Sequence, residues 1–355
     1  MSRFEVSKAG FEEHRVADVA KRELADGEVR LAIDFFAFTA NNMTYAVAGD
    51  ILNYWQFFPV QDDAGFGVIP VWGFADVVES RSGDLPVGER LYGYFPPADE
   101  LIIQPVNVSK AHVFDGSEHR QSLSPLYNRY MRVPAGGDRD AQRLQALLWP
   151  LYMTGYCIWD QLFQNEWYGA EQVIVLSASS KTSLGLAQAI VDGGSAPKVI
   201  GVTSASNADF VRNVGLYDEV VSYDDVASVA TVPTAVVDMA GNQATADALR
   251  AALGDQLKYF ISVGLTHWDK GGDGLGTQRP NHEFFFAPTY MLERTKSMEP
   301  GEFANLTQTF VLQAAVKSGA WLTVIEEQGV EALAQRYPDI RVGKMNPAEG
   351  LIIKI

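Results

Sequence analysis

The stretch VIVLSASSKTSLGLAQAI, residues 173–190, restricts the chain to a short menu of folds. Residues 173–176 are an uninterrupted apolar run, the pattern of a strand buried on both faces, and they pass through small polar residues straight into an Ala/Leu-rich helical segment. The same alternation continues: strands are expected at 198–202, 219–222, 234–238 and 259–263, with helical segments near 184–193, 207–214 and 243–253 between them. Short apolar strands joined by crossover helices give a parallel, doubly wound α/β sheet of the Rossmann type. We expect this domain over residues 141–301.

The flanking sequence has a different rhythm. From residue 27 to about 105 the runs GEVRLAIDFFAF, GVIPVWGFADVVES, ERLYGYF and ELIIQPVNV are short and strand-like, punctuated by Gly27, Gly67, Pro70, Gly83, Pro86 and Gly88. They predict a mostly β domain with a partly closed, barrel-like sheet. Residues 106–140 are rich in polar and turn residues and read as a long loop over a cleft. DAQRLQALLWPLYMTGYCIWDQLFQ is helical in period but interrupted at Pro150. A helix near 302–318 and a final strand, helix and strand are too short to fold alone. The first domain is therefore expected to be residues 1–140 completed by 302–355.

Charge narrows the partners. With 28 Lys and Arg against 44 Asp and Glu, the net charge of −16 repels nucleic acid and anionic membranes, although a local cradle of N–H groups can still hold an anion. The N-terminus has no apolar signal region and no segment offers the roughly 20 apolar residues needed to span a bilayer, so a cytoplasmic protein is expected. Cys157 is the only cysteine and sits among apolar residues, which reads as buried and inert. The five histidines show no metal-ligand spacing, so no metal is expected.

The order of these segments resembles the medium-chain dehydrogenase/reductase superfamily, in its zinc-free quinone oxidoreductase and enoyl reductase branch. The residues that carry the resemblance are GEVRLAIDFFAFTANNMTYAVAGD, VWGFADVVESRSGDLPVGERLYGYF, LYMTGYCIWDQL, QVIVLSASSKTSLGLAQAI, VIGVTSASNADFVRNVGLYDEVVSYDD, TAVVDMAGN and the terminal GKMNPAEGLIIKI. Within the superfamily the chain looks like an uncharacterised outlying group, DUF2855-like. The resemblance implies a GroES-like partly closed β-barrel domain, an inserted Rossmann domain, a bound NADP(H) and a homodimer built by extending the Rossmann sheet around 284–290.

Set on this frame, the glycine positions of the family's phosphate turn fall on Ser177, Ser180 and Ser183. Glycine there permits unusual dihedrals and close approach of backbone to pyrophosphate at a helix N-terminus. Serine removes part of that freedom but brings hydroxyl donors, here with Ser179, Lys181 and Thr182 beside them. The other reading is that the serines cap the helix and Lys181 faces solvent. A P-loop is rejected, because Val175 and Ser180 occupy both of its glycine positions. The second Rossmann strand ends in Thr203, Ser204, Ser206 and Asn207, where NAD-binding turns carry a carboxylate, so NADP(H) is favoured. Gly241, Val263, Gly264 and Leu265 end the fourth and fifth strands and are candidate walls for ribose and nicotinamide. The resemblance adds Tyr223 at the 2′-phosphate and Thr154 at the nicotinamide.

For the substrate, TANNMTY places Asn41, Asn42, Thr44 and Tyr45 just after a strand. Asn42 and Tyr45 are the candidate catalytic pair: Tyr45 reads either as a donor to a carbonyl oxygen as hydride arrives at its β carbon, or as a packed aromatic. Aromatics at 53–59 and Trp72 suit an apolar or aromatic small molecule, or a core. The expectation is an NADPH-dependent, zinc-independent reductase of an activated C=C bond or a quinone. The alternatives are a carbonyl reductase and a reductase-like scaffold with a non-redox or partner-subunit role.

Overall fold

A computed structural model of the chain describes residues 1–60, 65–134, 136–263 and 281–355. These divide into two units, Met1–Leu147 with Leu322–Ile355, and Leu148–Trp321. The division falls later than the expected limits at 140 and 301. The helix Glu302–Ser318 stays with the second unit because Ser318 Oγ lies 2.6 Å from Tyr152 Oη and Lys317 Nζ lies 2.6 Å from Asp192.

The second unit carries the strands β1 (Gln172–Leu176), β2 (Lys198–Thr203), β3 (Glu219–Ser222), β4 (Thr234–Asp238), β5 (Leu257–Ser262) and β6 (His282–Phe284). All pair in parallel, in the order β3-β2-β1-β4-β5-β6. This is the doubly wound dinucleotide-binding order, whose ligand crevice lies at the C-terminal ends of β1 and β4, where the winding reverses. The helices are α1 (Lys181–Gly193), α2 (Ala208–Val214), α3 (Gln243–Leu253), α4 (Ala287–Thr295) and α5 (Glu302–Ser318). Ile174, Leu176, Ile200, Val236 and Phe260 from the sheet meet Leu249 and Leu253 of α3 in one fully buried cluster. Most of 284–290, expected as edge strand, is instead the start of α4, because Pro288 cannot donate to a ladder but suits a first helical turn.

The first unit contains a nine-stranded, mainly antiparallel sheet and a three-stranded one. The ten-residue strand Val29–Phe38 is its axis: Val71–Ser80 pairs along its length, Glu100–Ile103 pairs with its first half and Glu349–Lys354 with its second. One strand serving three partners makes a strongly coiled sheet, the partly closed GroES-like arrangement. The returning C-terminal strand supplies Leu351, Ile352 and Ile353 to its core.

Two expectations are corrected here. Residues 106–140 are not a long loop: His112–Asp115 and Arg129–Val133 are sheet strands. The segment between them is fastened from inside by Arg120, which has no exposed surface and bonds to Asp115 Oδ2 at 2.8 Å, Tyr130 Oη at 2.9 Å and the Tyr127 carbonyl at 2.9 Å. Nor does Pro150 interrupt its helix, which runs unbroken over Arg139–Gln164. Interior proline costs about 3 kcal/mol, and the burial of Leu147, Leu148, Leu151 and Tyr152 around it offsets that. No helix among the described residues is long and apolar enough to cross a membrane.

Candidate functional site

At the end of β1 the backbone turns on Ser177, whose φ of +56° is the left-handed conformation that glycine ordinarily supplies. The turn therefore keeps a glycine-like shape without the glycine. Ser180 is the N-cap of α1, and its Oγ accepts from Ser183 N at 3.2 Å. It also donates to Ser183 Oγ at 2.9 Å, and Ser183 Oγ donates to the Leu176 carbonyl at 3.2 Å. Ser183 is fully buried, so its hydroxyl ties the helix back onto the strand it left. The cap reading thus describes Ser180, and these two hydroxyls are spent within the turn. Lys181 and Thr182 are half-buried in the first turn of α1.

Strand β2 holds the turn from the other side. Ser179 Oγ accepts from Thr203 Oγ1 at 3.2 Å and from Asn207 Nδ2 at 3.1 Å. Ala178 N donates to the Val202 carbonyl at 2.9 Å, and Tyr217 Oη to the Ala178 carbonyl at 3.1 Å. Gly201 permits this approach, since a Cβ there would stand 2.9 Å from both Ala178 and the Tyr217 ring. Thr203 is buried, whereas Ser204 and Ser206 share a 2.9 Å hydrogen bond at the surface of the strand end. Tyr223, at the end of β3, brings its hydroxyl to Ser177, accepting from the backbone N–H at 3.0 Å. Burial raises the Tyr223 pKa, so the hydroxyl keeps its proton and has it to donate.

At the end of β4, buried Asp238 shapes the DMAGN turn: its Oδ1 accepts from Ala240 N at 2.8 Å and Gly241 N at 2.9 Å, with Gly241 at φ +65°. Val263 N donates to the Asp238 carbonyl at 2.9 Å, which fixes the end of β5 beside it. The sequence reading missed Asp238, although an Asp at a strand end before small residues signals such a turn. Ser177, Ser179, Ser180, Tyr223 and Gly241 therefore gather at one end of the sheet. Gly264 and Leu265 lie outside the described residues. Thr154 Oγ1 donates to the Pro150 carbonyl at 2.9 Å, within its own helix.

In the first unit, Asn42 and Tyr45 lie on the helix Ala40–Val47, and their surroundings differ. Asn42 is 4% exposed and closes a capping box: its Oδ1 accepts from Thr39 N at 2.7 Å, and its Nδ2 donates to the Pro70 carbonyl at 2.8 Å. Its amide is committed to holding the helix start. Tyr45 is buried, and its hydroxyl accepts from Trp72 Nε1 at 3.1 Å. An indole N–H only donates, so the tyrosine proton must point elsewhere. Burial pushes the Tyr45 pKa up to about 12, with hydrogen bonds from Trp72 and Asn41 opposing the rise. Around it stand Tyr54, at a ring-centroid distance of 4.8 Å, and Tyr94, edge-on at 5.5 Å. Tyr54 and Tyr127 share a hydroxyl hydrogen bond of 3.0 Å, while the buried Tyr94 hydroxyl has no hydrogen-bond partner among the described residues. Among the described residues, no three His, Cys, Asp or Glu side chains come together as a metal site.

Fold and site together define a two-unit protein with a GroES-like β unit and a Rossmann unit whose first strand-to-helix turn is built from serines held in place by their neighbours. Solved structures with this architecture include CurA from Vibrio vulnificus in complex with NADPH, 14% identical, with a TM-score of 0.67 over 100% of this chain and 99% of that one. Mycobacterial Rv1454c complexed with NADPH is 15% identical, with a TM-score of 0.61 and the whole of both chains covered. A probable oxidoreductase from Mycobacterium abscessus is 16% identical, with a TM-score of 0.57 over 100% of this chain and 99% of that one. No curated protein matches the chain. The chain belongs to the family described as protein of unknown function (DUF2855), whose model matches residues 36–346.

Proposed function

We propose that the protein is an NADPH-dependent, zinc-independent oxidoreductase that reduces an activated C=C bond or a quinone by hydride transfer. The observation that carries the reading is the turn at Ser177. A non-glycine residue held at φ +56°, at the switch point of a sheet in dinucleotide-binding order, keeps the shape that brings backbone to a pyrophosphate. Two of the solved structures that share the fold hold NADPH.

When bound, the dinucleotide supplies hydride. The chain's part is to bind and orient it. The N-terminus of α1 faces the pyrophosphate, with the half-buried Lys181 adding positive charge beside it. Ser204 and Ser206 present uncharged hydroxyls at the β2 end, where a carboxylate would repel a 2′-phosphate. Tyr45 keeps its proton at neutral pH and donates to the substrate's carbonyl or quinone oxygen, stabilising charge that develops there. Trp72 and Asn41 both donate to the Tyr45 oxygen, which leaves the hydroxyl proton free to be given.

The test is titration of the purified protein with NADPH and NADH, followed by nicotinamide fluorescence, then turnover on enones and quinones. NADPH binding at least roughly tenfold tighter than NADH, with a saturated ketone or hydroquinone as product, supports the reading. No dinucleotide binding refutes it, and an alcohol as product makes the protein a carbonyl reductase.

A further inference from the structure

We infer that the helical face of the Rossmann unit carries a second ligand site, built for a small organic cation with an apolar body. The site is an open cavity of about 540 Å³ formed by the helix Arg139–Gln164, the C-terminal end of α1 and the first turns of α5. It is made entirely by residues of the second unit. The phosphate turn lies at the opposite, N-terminal end of α1, so this cavity is no part of the proposed dinucleotide site.

Three aromatic rings line it. Tyr156 stands 5.1 Å from Trp159 and 5.1 Å from Phe310, centroid to centroid, and at neither contact are the rings stacked flat. Leu306 forms an apolar wall and is 45% exposed. The charged lining is of one sign, Asp192 and Glu302, with no Lys, Arg or His among the lining residues. Asp192 is neutralised by Lys317 at 2.6 Å, whereas the exposed Glu302 carboxylate accepts from the Glu299 backbone N–H at 3.2 Å. Aromatic faces carry negative potential, and together with a carboxylate that has no cationic partner among the described residues they attract an ammonium group while rejecting anions. The net charge of −16 favours cations at long range as well. A volume near 540 Å³ suits a small molecule.

The probe is benzyltrimethylammonium, measured by calorimetry on the full chain against its uncharged carbon isostere, neopentylbenzene. The cation should bind about two- to fivefold more tightly than the isostere, the gain expected for a cation over aromatic rings in an open, solvated site. Glu302→Gln should weaken the cation about two- to threefold and reduce its salt dependence, and Trp159→Leu should weaken it by about the same factor without changing the salt dependence. Leu306→Lys, at an exposed position where folding is not at stake, should abolish cation binding and spare NADPH binding. Equal affinity for the two probes, or full cation affinity in Leu306→Lys, overturns the inference. So does concentration-dependent dimerisation that Leu306→Lys abolishes, because the face would then seat a second copy of the chain.

Discussion

Replacing Ser183 by Ala separates two roles for the serine turn. In the structure its hydroxyl is fully buried, donates to the Leu176 carbonyl at 3.2 Å and accepts from Ser180 Oγ at 2.9 Å. Removing it deletes two hydrogen bonds, each with a net worth of about 0.5–1.5 kcal/mol, so the expected cost is about 2 kcal/mol. For a unit of this size that corresponds to a fall in Tm of about 4–8 °C, read by thermal unfolding with circular dichroism. A hydroxyl that points back at β1 cannot also reach a ligand, so NADPH affinity measured on the folded variant should stay within about twofold. A variant of unchanged Tm whose NADPH affinity falls tenfold or more would refute the reasoning. It would put the Ser183 hydroxyl on the phosphate and leave Leu176 satisfied without it.

Other perturbations follow from the same geometry. Ser180→Ala should cost about 1 kcal/mol through loss of the α1 cap, while Ser180→Gly should cost only a few tenths, a difference that urea unfolding resolves. Tyr94→Phe should be neutral or stabilising by up to about 1 kcal/mol, because it removes a buried hydroxyl that has no partner among the described residues; a loss of stability on denaturation would contradict this. Asp115→Asn should destabilise the first unit by about 3–5 kcal/mol, because Arg120 would keep its charge with no exposed surface; a cost under about 1 kcal/mol by urea titration counts against the anchoring role. Alkali should unfold the protein cooperatively. Burial pushes Tyr45 and Tyr130 up to about 12 in the folded chain and raises Tyr92, Tyr94 and Tyr127 well above the ordinary tyrosine value, whereas unfolded tyrosine ionises near 10. From pH 10 upward the unfolded chain therefore sheds protons the folded one retains, and stability falls by up to about 1.4 kcal/mol per pH unit for each such residue. Tyrosinate absorbance rising near pH 10 without loss of circular dichroism would contradict this.

What the sequence discloses follows from how local its signals are. The Rossmann strands were legible chiefly from the central pair, β1 and β4, which are buried at every residue and read as nearly bare apolar runs; β3 and β4 lie at the expected residues, and β1, β2 and β5 differ only at their ends. The cap at Ser180 was legible for the same reason, since helix capping is decided within four residues. Residues 106–140 misled because what orders them is not local. An arginine in a polar stretch looks like solvent-facing loop, and nothing near Arg120 announces that the rings of Phe57 and Phe58, at 5.2 and 5.1 Å, and the carboxylate of Asp115 will enclose it. Pro150 misled in the opposite direction, since a strong local rule was overridden by packing on both sides of it.

The site shows the same division. Tyr45 could be nominated from its place after a strand, but which way its proton points is set by Trp72, a neighbour 27 residues away in sequence. The serine turn joins both levels. At the local level three serines in place of glycines argue against a dinucleotide, because a Cβ restricts the backbone. Across the sheet, Tyr223 takes the Ser177 N–H, Thr203 and Asn207 grip Ser179, and Ser183 is tied to Leu176, so contacts hold Ser177 in a conformation its own side chain disfavours. Glycine reaches that shape at no steric cost; this chain reaches it by constraint, which leaves the turn less free to adjust to a ligand. The serine turn is thus held in shape before any dinucleotide arrives, and the hydroxyls of Ser179, Ser180 and Ser183 serve that shape rather than the phosphate.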